Sequence, residues 1–127
     1  MKILLVDDSR TMRNIFKRVI VGINAAETAE AGDGVEALQV IEQSGPFDLM
    51  LLDWNMPNMD GITLLKTVRE KKIFTPVIMV TTEAEKSRII EAIKAGANNY
   101  MVKPFTPDAL KGKIEETLKK AKASATA

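Results

Sequence analysis

The chain has 127 residues, with 18 Lys and Arg against 17 Asp and Glu, and a formal net charge of +1. This balance gives no overall field that would draw the protein to nucleic acid or to a membrane surface. Cysteine and histidine are absent, which excludes disulfides, thiolate or imidazole metal ligands and a phosphorylated histidine. Without a signal-like N-terminus or an apolar run of about 20 residues, we expect a single cytoplasmic domain of residues 1–127, monomeric and not inserted in a membrane.

Short apolar runs alternate along the chain with amphipathic segments, which is the pattern of repeated βα units. It predicts an α/β fold whose parallel sheet is covered on both faces by helices. The predicted strands are Lys2–Val6, Ala25–Ala31, Phe47–Leu52, Pro76–Val80 and Asn99–Val102. The predicted helices are Arg10–Val21, Gly34–Ser44, Ile62–Lys71, Glu83–Ala95 and Pro107–Lys122. The second strand is the least regular, because its alanine-rich sequence also suits a helix.

Polar and glycine residues mark the predicted helix ends. Asp33, Asp60 and Thr106 each precede a helical segment and are suited to cap its first turn. Gly45 and Gly96 follow helical segments, where a left-handed residue commonly ends a helix. These signals predict where the amphipathic segments begin and end.

Four of the predicted strands end at a residue that suits phosphoryl chemistry. Asp7 and Asp8 follow the first strand, Asp53 follows the third, Thr81 follows the fourth and Lys103 follows the fifth. The carboxyl ends of parallel strands lie along one edge of a sheet, so these side chains are expected to share one crevice. Three carboxylates, a hydroxyl and an ammonium in one crevice would bind a divalent cation and accept a phosphoryl group.

The three carboxylates favour a hard cation. At a separation of about 5 Å and an effective dielectric constant near 20, each pair of negative charges repels by roughly 3 kcal/mol. A cation with oxygen ligands offsets this repulsion, and Mg²⁺ suits a site of one or two carboxylates beside a phosphate. The alternative for Asp7 and Asp8 is a helix cap before Ser9, and Asp8 could serve both purposes.

Asp53 is the candidate nucleophile, because a buried carboxylate beside an ammonium can attack phosphorus and form an acyl phosphate. Lys103 can neutralise charge on the phosphoryl oxygens, and Thr81 can donate a hydrogen bond to one of them. Tyr100 could move between solvent and a groove. The alternatives are a buried turn residue for Asp53, a solvated lysine for Lys103, and ordinary sheet residues for Thr81 and Tyr100.

The motifs at these strand ends resemble those of receiver domains of two-component response regulators. They are DD after the first strand, DWNMPNMDG around Asp53, MVTT at Thr81 and YMVKPF at Lys103, and they cover essentially the whole chain. Within the family, DWNMPNMDG together with Tyr100 resembles the single-domain chemotaxis regulators. The resemblance implies a flavodoxin-like, doubly wound sheet of five strands in the order 2-1-3-4-5 with five helices.

The resemblance also implies a role for each matched residue. Asp53 would be the phosphoacceptor, and Lys103 would contact the phosphoryl group. The Mg²⁺ ligands would be Asp7, Asp8, Asp53 and the backbone carbonyl of Asn55. The switch pair would be Thr81 and Tyr100, the residues that tune dephosphorylation would be Asn55 and Glu83, and the contacts to an output protein would be Lys86, Tyr100 and Lys113.

A receiver of this kind implies protein partners and no enzymatic output of its own. The expected partners are a histidine kinase that donates from phosphohistidine, an output protein such as the flagellar motor switch, and a phosphatase. A receiver in a phosphorelay or stress pathway is an alternative function. An aspartate-nucleophile phosphohydrolase fits less well because its acids are spaced differently, and a flavin carrier fits poorly because DDSR offers acid where a flavin phosphate needs hydroxyls and glycine.

Three residues depart from the pattern of the chemotaxis members. Thr82 stands where a smaller residue is usual, and it could crowd the path of Tyr100. Glu85 replaces a frequent lysine, which weakens the electrostatic attraction for the usual partners. Gly112 lies inside the last predicted helix, where glycine costs about 1 kcal/mol relative to alanine. These departures leave the predicted chemistry intact and leave the partners open.

Overall fold

The computed structural model describes the backbone of residues 1–23 and 27–126, and their side chains up to residue 122. Within these ranges, five parallel strands form one sheet in the order β2-β1-β3-β4-β5, which confirms the predicted doubly wound fold. The strands are β1 Lys2–Val6, β2 Glu27–Ala31, β3 Leu49–Leu52, β4 Val77–Thr81 and β5 Asn99–Val102. The helices are α1 Arg10–Val21, α2 Gly34–Ser44, α3 Gly61–Glu70, α4 Lys86–Ala95 and α5 Pro107–Thr126.

The bounds of β1, β5, α1 and α2 agree with the prediction. The largest error lies at the end of α5, which runs to Thr126 and not to Lys122, and the next largest lies at the start of α4. That helix begins at Lys86 and not at Glu83, because the backbone of Glu83 is bonded elsewhere. Its N–H donates to Thr81 Oγ1 at 3.3 Å, and its carbonyl accepts from the hydroxyl of Tyr100. The predicted start of β2 at Ala25 lies outside the described residues.

The capping predictions hold at four of five positions. Asp33 and Asp60 accept the N–H groups of the third helical residues of α2 and α3, at 2.8 and 2.9 Å, and Thr106 caps α5 at 3.1 Å. Gly96 ends α4 with φ 112° in the left-handed region. The prediction for Gly45 is wrong, since its backbone is extended, and the following proline disfavours helical torsions at that position.

The sheet is buried on both faces, which explains why its central strands are uninterrupted apolar runs. All four residues of β3 are fully buried. Met50 and Leu52 face one core cluster, and Leu49 and Leu51 face the other. The first cluster includes residues of α2, α3 and α4 such as Ala37, Leu64 and Ala92. The second includes residues of α1 and α5 such as Phe16, Leu110 and Ile114. Across the described ranges, no helix is both long and apolar enough to cross a bilayer.

Replacing Gly112 by alanine is expected to stabilise the protein by about 0.5–1 kcal/mol. Gly112 lies in the interior of α5, and a Cβ added there would meet no described atom within 4 Å. Alanine therefore gains helix propensity without a steric penalty. Urea unfolding of the wild type and the variant measures the difference. Gly61→Ala is the contrasting variant, because its Cβ would lie 2.0 Å from the carbonyl oxygen of Asp53, and it should be strongly destabilising.

Candidate functional site

The sheet order places the predicted site residues along one edge. Strands β1, β3, β4 and β5 are consecutive neighbours in the sheet. Asp7 directly follows β1, Asp53 directly follows β3, Thr81 is the last residue of β4, and Lys103 directly follows β5. Parallel strands end on the same side, so the four side chains converge from neighbouring positions. Asp7, Asp53 and Lys103 of the predicted crevice lie together at this edge.

Three carboxylates meet in this crevice. Ligand oxygens of Asp7, Asp8 and Asp53 all lie within 4.8 Å of one another. Asp7 and Asp53 are buried, at 1% and 7% exposure, whereas Asp8 is exposed. A cluster of all-oxygen donors, with one member open to solvent, suits a hard divalent cation that keeps part of its water shell. These residues could therefore hold Mg²⁺.

Asp7 is held by groups on either side of it, and it does not cap α1. Its Oδ1 accepts the N–H of Ser9 at 2.8 Å, and its Oδ2 accepts from Lys103 Nζ at 2.8 Å. Ser9 is the N-cap of α1 and accepts the N–H of Met12 at 3.2 Å. The expectation that Asp8 could also cap this helix is therefore wrong. Its carboxylate belongs to the acidic cluster with Asp7 and Asp53.

Lys103 lies between two carboxylates. Its ammonium is 2.8 Å from Asp7 Oδ2 and 3.5 Å from Asp53 Oδ1, and its side chain is only 13% exposed. A backbone bond at 2.8 Å from its N–H to the carbonyl of Thr81 fixes the chain at the end of β5. The ammonium is thus positioned beside the carboxylate that would accept a phosphoryl group, and it is not the solvated lysine of the alternative interpretation.

Burial controls the ionisation of Asp53. It raises the pKa of this carboxyl to about 6 from an ordinary value of 3.8, with Lys103 opposing the rise and Asp7 adding to it. The backbone N–H of Trp54 donates to Asp53 Oδ1 at 2.8 Å, which favours the charged form of Asp53. At neutral pH the carboxylate is thus mostly ionised, in surroundings that penalise its charge. A charged carboxylate with little solvation is suited to attack an electrophile.

Hydrogen bonds connect a second set of four predicted site residues, which are Thr81, Glu83, Asn55 and Tyr100. Thr81 is fully buried, and its Oγ1 accepts the N–H of Glu83. Asn55 Nδ2 donates to Glu83 Oε1 at 3.3 Å, and the hydroxyl of Tyr100 donates to the Glu83 carbonyl. Burial and the Glu83 carboxylate raise the pKa of Tyr100 to about 12, so its hydroxyl remains a donor. The structure thus connects the two switch candidates through one residue of the β4–α4 loop.

The three candidate contacts to an output protein lie near the last strand and its flanking helices. Lys86 is exposed at the start of α4. Lys113 is partly buried and donates to Asn99 Oδ1 at 3.4 Å, while Tyr100 is only 8% exposed. Of the departures, Thr82 and Glu85 are exposed in the β4–α4 loop. A partner at this surface would thus meet Lys86 directly and Tyr100 only at its edge.

The sequence prediction missed Arg13, which supports the acidic loop. Its Nη1 donates to the carbonyl of Asp7, and its Nε donates to Glu30 Oε1 at 2.9 Å. Lys17 also pairs with Glu30, and Lys17 and Arg13 hold the pKa of that carboxyl below its usual range. Arg13 and Lys17 lie one turn apart on α1, but this spacing does not by itself point to Glu30, which lies near the end of β2 beside β1.

Comparison with known proteins places the chain in a family. Residues 3–115 match the family described as response regulator receiver domain. The chain therefore belongs to the receiver domains of two-component response regulators, a class of signalling proteins that phosphorylation switches. The match covers most of the chain, so it decides against the phosphohydrolase and the flavin carrier as alternatives.

The relatives point to one branch of the family. The chain is 52% identical over 118 residues to the chemotaxis protein CheY of Pseudomonas aeruginosa, covering 91% of this chain and 94% of that protein. It is 48% identical over 120 residues to a chemotaxis protein CheY homolog of Campylobacter jejuni, covering 93% and 92%. Among solved structures, chemotaxis response regulator CheY4 of Vibrio cholerae superposes with a TM-score of 0.83 at 35% identity, covering 91% and 97%. A CheY-like receiver domain from Methanospirillum hungatei gives 0.87 at 31% identity, covering 97% of each chain.

Proposed function

We propose that this receiver, acting as one domain over residues 1–127, accepts a phosphoryl group on Asp53 and serves as a chemotaxis regulator. The observation that carries the proposal is the environment of Asp53. This carboxylate is buried, lies 3.5 Å from the ammonium of Lys103, and has two further carboxylates within 4.8 Å. A structural turn residue has no need of a buried ammonium and an acidic cluster beside it. The set matches the requirements of phosphoryl transfer, which are positioning and neutralisation of charge.

The acidic cluster is the proposed Mg²⁺ site. Asp7, Asp8 and Asp53 would supply carboxylate ligands, and Asn55 would supply its backbone carbonyl. The bound ion would offset the negative charge of the phosphoryl oxygens. The protein's own part is to hold Asp7 rigidly, through the bonds from Ser9 and Lys103, and to keep Asp53 desolvated.

In the proposed reaction, a carboxylate oxygen of Asp53 attacks the phosphorus of a phosphohistidine or of a small acyl phosphate. The new P–O bond forms as the P–N or P–O bond of the donor breaks, and the leaving group departs with the electron pair. Lys103 lies where it can neutralise charge on the transferred oxygens. The chain contains no histidine, so a phosphohistidine donor must be a partner protein, which we propose is a histidine kinase.

The proposed signal to an output protein depends on the hydrogen bonds that join Thr81 and Tyr100 to Glu83. A phosphoryl oxygen that accepts the Thr81 hydroxyl would change the bonding of the β4–α4 loop, and Tyr100 is bonded to that loop. Asn55 and Glu83 would tune dephosphorylation, because they lie two residues after Asp53 and Thr81 in the sequence and their side chains are hydrogen-bonded to each other. Lys86, Tyr100 and Lys113 would contact the output protein. The chemotaxis names of the relatives support a role in chemotaxis. The proposed output protein is the flagellar motor switch, in the cytoplasm, and a phosphatase would end the signal.

The site of transfer can be tested directly by chemical trapping. The protein is treated with acetyl phosphate and Mg²⁺, and any acyl phosphate is reduced with borohydride, which converts a phosphorylated aspartate to homoserine. Peptide mass spectrometry should locate homoserine at position 53. Homoserine at Asp7 or Asp8, or at a surface aspartate such as Asp108, with none at position 53, would contradict the proposal.

Thr81→Ala is expected to leave phosphorylation of Asp53 within about threefold of the wild type while it blunts the response of Tyr100. The methyl group cannot donate to a phosphoryl oxygen, and a coupling of about 1–3 kcal/mol depends on such differential contacts. The ring signals of Tyr100, the only tyrosine, report the response in an NMR titration with beryllofluoride and Mg²⁺. Thr81→Ser keeps the hydroxyl and should retain the response. An undiminished response of Thr81→Ala would remove Thr81 from the switch.

A further inference from the structure

Arg88 joins α4 to the residue that follows Asp53. The guanidinium carbon of Arg88 lies over the ring of Trp54, 5.3 Å from its centroid. Trp54 is buried, at 4% exposure, and its backbone N–H donates to Asp53 Oδ1. Arg88 lies in the first turn of α4, and its own N–H bonds the carbonyl of Glu85 at 3.0 Å. One surface side chain therefore reaches from the beginning of α4 to the loop that carries the phosphoacceptor.

Arg88 also contacts Glu91 and affects the pKa of Tyr100. Its Nη1 lies 3.4 Å from Glu91 Oε1, and these two side chains are 46% and 41% exposed. The positive charge of Arg88 also opposes the rise in the pKa of Tyr100, so the guanidinium acts on the region of the switch tyrosine. Arg88 thus contacts at the same time the indole of the residue that follows Asp53 and a carboxylate on its own helix, and its charge acts on the surroundings of Tyr100.

The balance among these contacts would respond to added charge at Asp53. A guanidinium over an indole at a partly exposed site changes an equilibrium constant by about two- to fivefold. A phosphoryl group on Asp53 would add negative charge next to Trp54 in the chain. This charge would attract the guanidinium of Arg88 toward Trp54. Glu91 is held by the weaker contact of an exposed ion pair. The two states of the phosphoacceptor would therefore hold Arg88 with different strength, which is the condition for coupling.

We propose that Arg88 is a positioning residue of the switch, which holds the first turn of α4 against Trp54 and so transmits the added charge at Asp53 to Tyr100. This inference rests on the proposed function and deepens it. It assigns part of the coupling to a surface arginine in addition to the buried hydroxyl of Thr81. It also makes Glu91 an opposing residue, because that carboxylate competes for the same guanidinium.

The test compares Arg88→Gln, Glu91→Gln and the wild type in titrations with beryllofluoride and Mg²⁺. Fluorine NMR reports binding of the phosphoryl mimic at Asp53, independently of the indole. The ¹³C ring signals of Tyr100 report the ratio of its two environments, and the measured quantity is the change in that ratio on binding. Lys94→Gln is the matched control, because it removes the same charge from the same helix at an exposed position.

The change in the Tyr100 ratio is expected to shrink about two- to fivefold in Arg88→Gln and to grow in Glu91→Gln. Lys94→Gln should behave as the wild type does. A merely structural role for Arg88 would not make the two substitutions act in opposite directions. A change in Arg88→Gln equal to that of the wild type, or a smaller change in Glu91→Gln, would overturn the inference. If the wild type itself bound no beryllofluoride, the proposed function would fail, and this inference with it.

Discussion

Lys103→Met is expected to slow phosphorylation of Asp53 by acetyl phosphate about 10²- to 10³-fold, the loss typical when one pre-positioned donor to a developing charge is removed. Its ammonium is 3.5 Å from Asp53 Oδ1 and 2.8 Å from Asp7 Oδ2, and it is mostly shielded from solvent. Methionine keeps a similar length and apolar character but carries no charge. The measurement is the initial rate at which phosphorylated protein forms, followed by intact mass at saturating Mg²⁺.

Two controls separate the role of Lys103 in the reaction from its role in the fold. Lys111→Met removes a charge from an exposed position of α5 and should leave the rate unchanged. Lys103→Met also leaves Asp7 buried without this partner, which for a buried ion pair costs about 3–5 kcal/mol, so urea unfolding must establish that the variant is folded in the assay. A folded Lys103→Met variant with a rate within threefold of the wild type would exclude Lys103 from the reaction.

Asp53→Asn is expected to raise the free energy of unfolding by up to about 3 kcal/mol at pH 7 in Mg²⁺-free buffer. Burial raises the pKa of Asp53 from 3.8 to about 6. Between these two values the folded state binds more protons at this group than the unfolded state, so its contribution to stability falls as pH rises from about 4 to about 6. Above that window the ionised carboxylate is destabilising. A neutral asparagine avoids this penalty.

Urea unfolding of both proteins at pH 4 and pH 7, with EDTA present, tests this sign. The advantage of Asp53→Asn should be large at pH 7 and small at pH 4, where the wild-type carboxyl is protonated in the folded state. Mg²⁺ should then stabilise the wild type more than the variant, because the ion relieves a repulsion among carboxylates that the neutral asparagine side chain does not create. Asp108→Asn, at an exposed position of α5, is the matched control. An equal advantage at both pH values would contradict a raised pKa at Asp53.

Local sequence signals were sufficient for most of the fold. Continuous apolar runs identify strands that are buried on both faces, and side-chain caps such as Asp60 and Thr106 act within a few residues of one another. The start of α4 was mispredicted because its first predicted residues are diverted by the side chains of Thr81 and Tyr100, and Tyr100 comes from another strand. Gly45 was mispredicted because the following proline governs its torsions.

Some residues of the candidate site could be predicted from the sequence and others could not. Asp7, Asp53 and Lys103 could be predicted to meet because parallel strands in one sheet end at one edge. Arg13 and Arg88 could not be assigned, because their contacts with Asp7 and Trp54 depend on how α1 and α4 pack on the sheet. A charged residue on a helix surface is usually solvated, and no local pattern distinguishes the few that are not.

The intact mass of the protein after treatment with acetyl phosphate, with and without Mg²⁺ and beside the Asp53→Asn variant, tests the central claim most directly. A receiver that uses Asp53 and the acidic cluster should gain the mass of one phosphoryl group in the wild type with Mg²⁺. It should gain none in the variant and little when the metal is removed by EDTA. A wild-type protein that gains no mass and also binds no beryllofluoride, or a variant that gains the same mass, would contradict phosphorylation at Asp53.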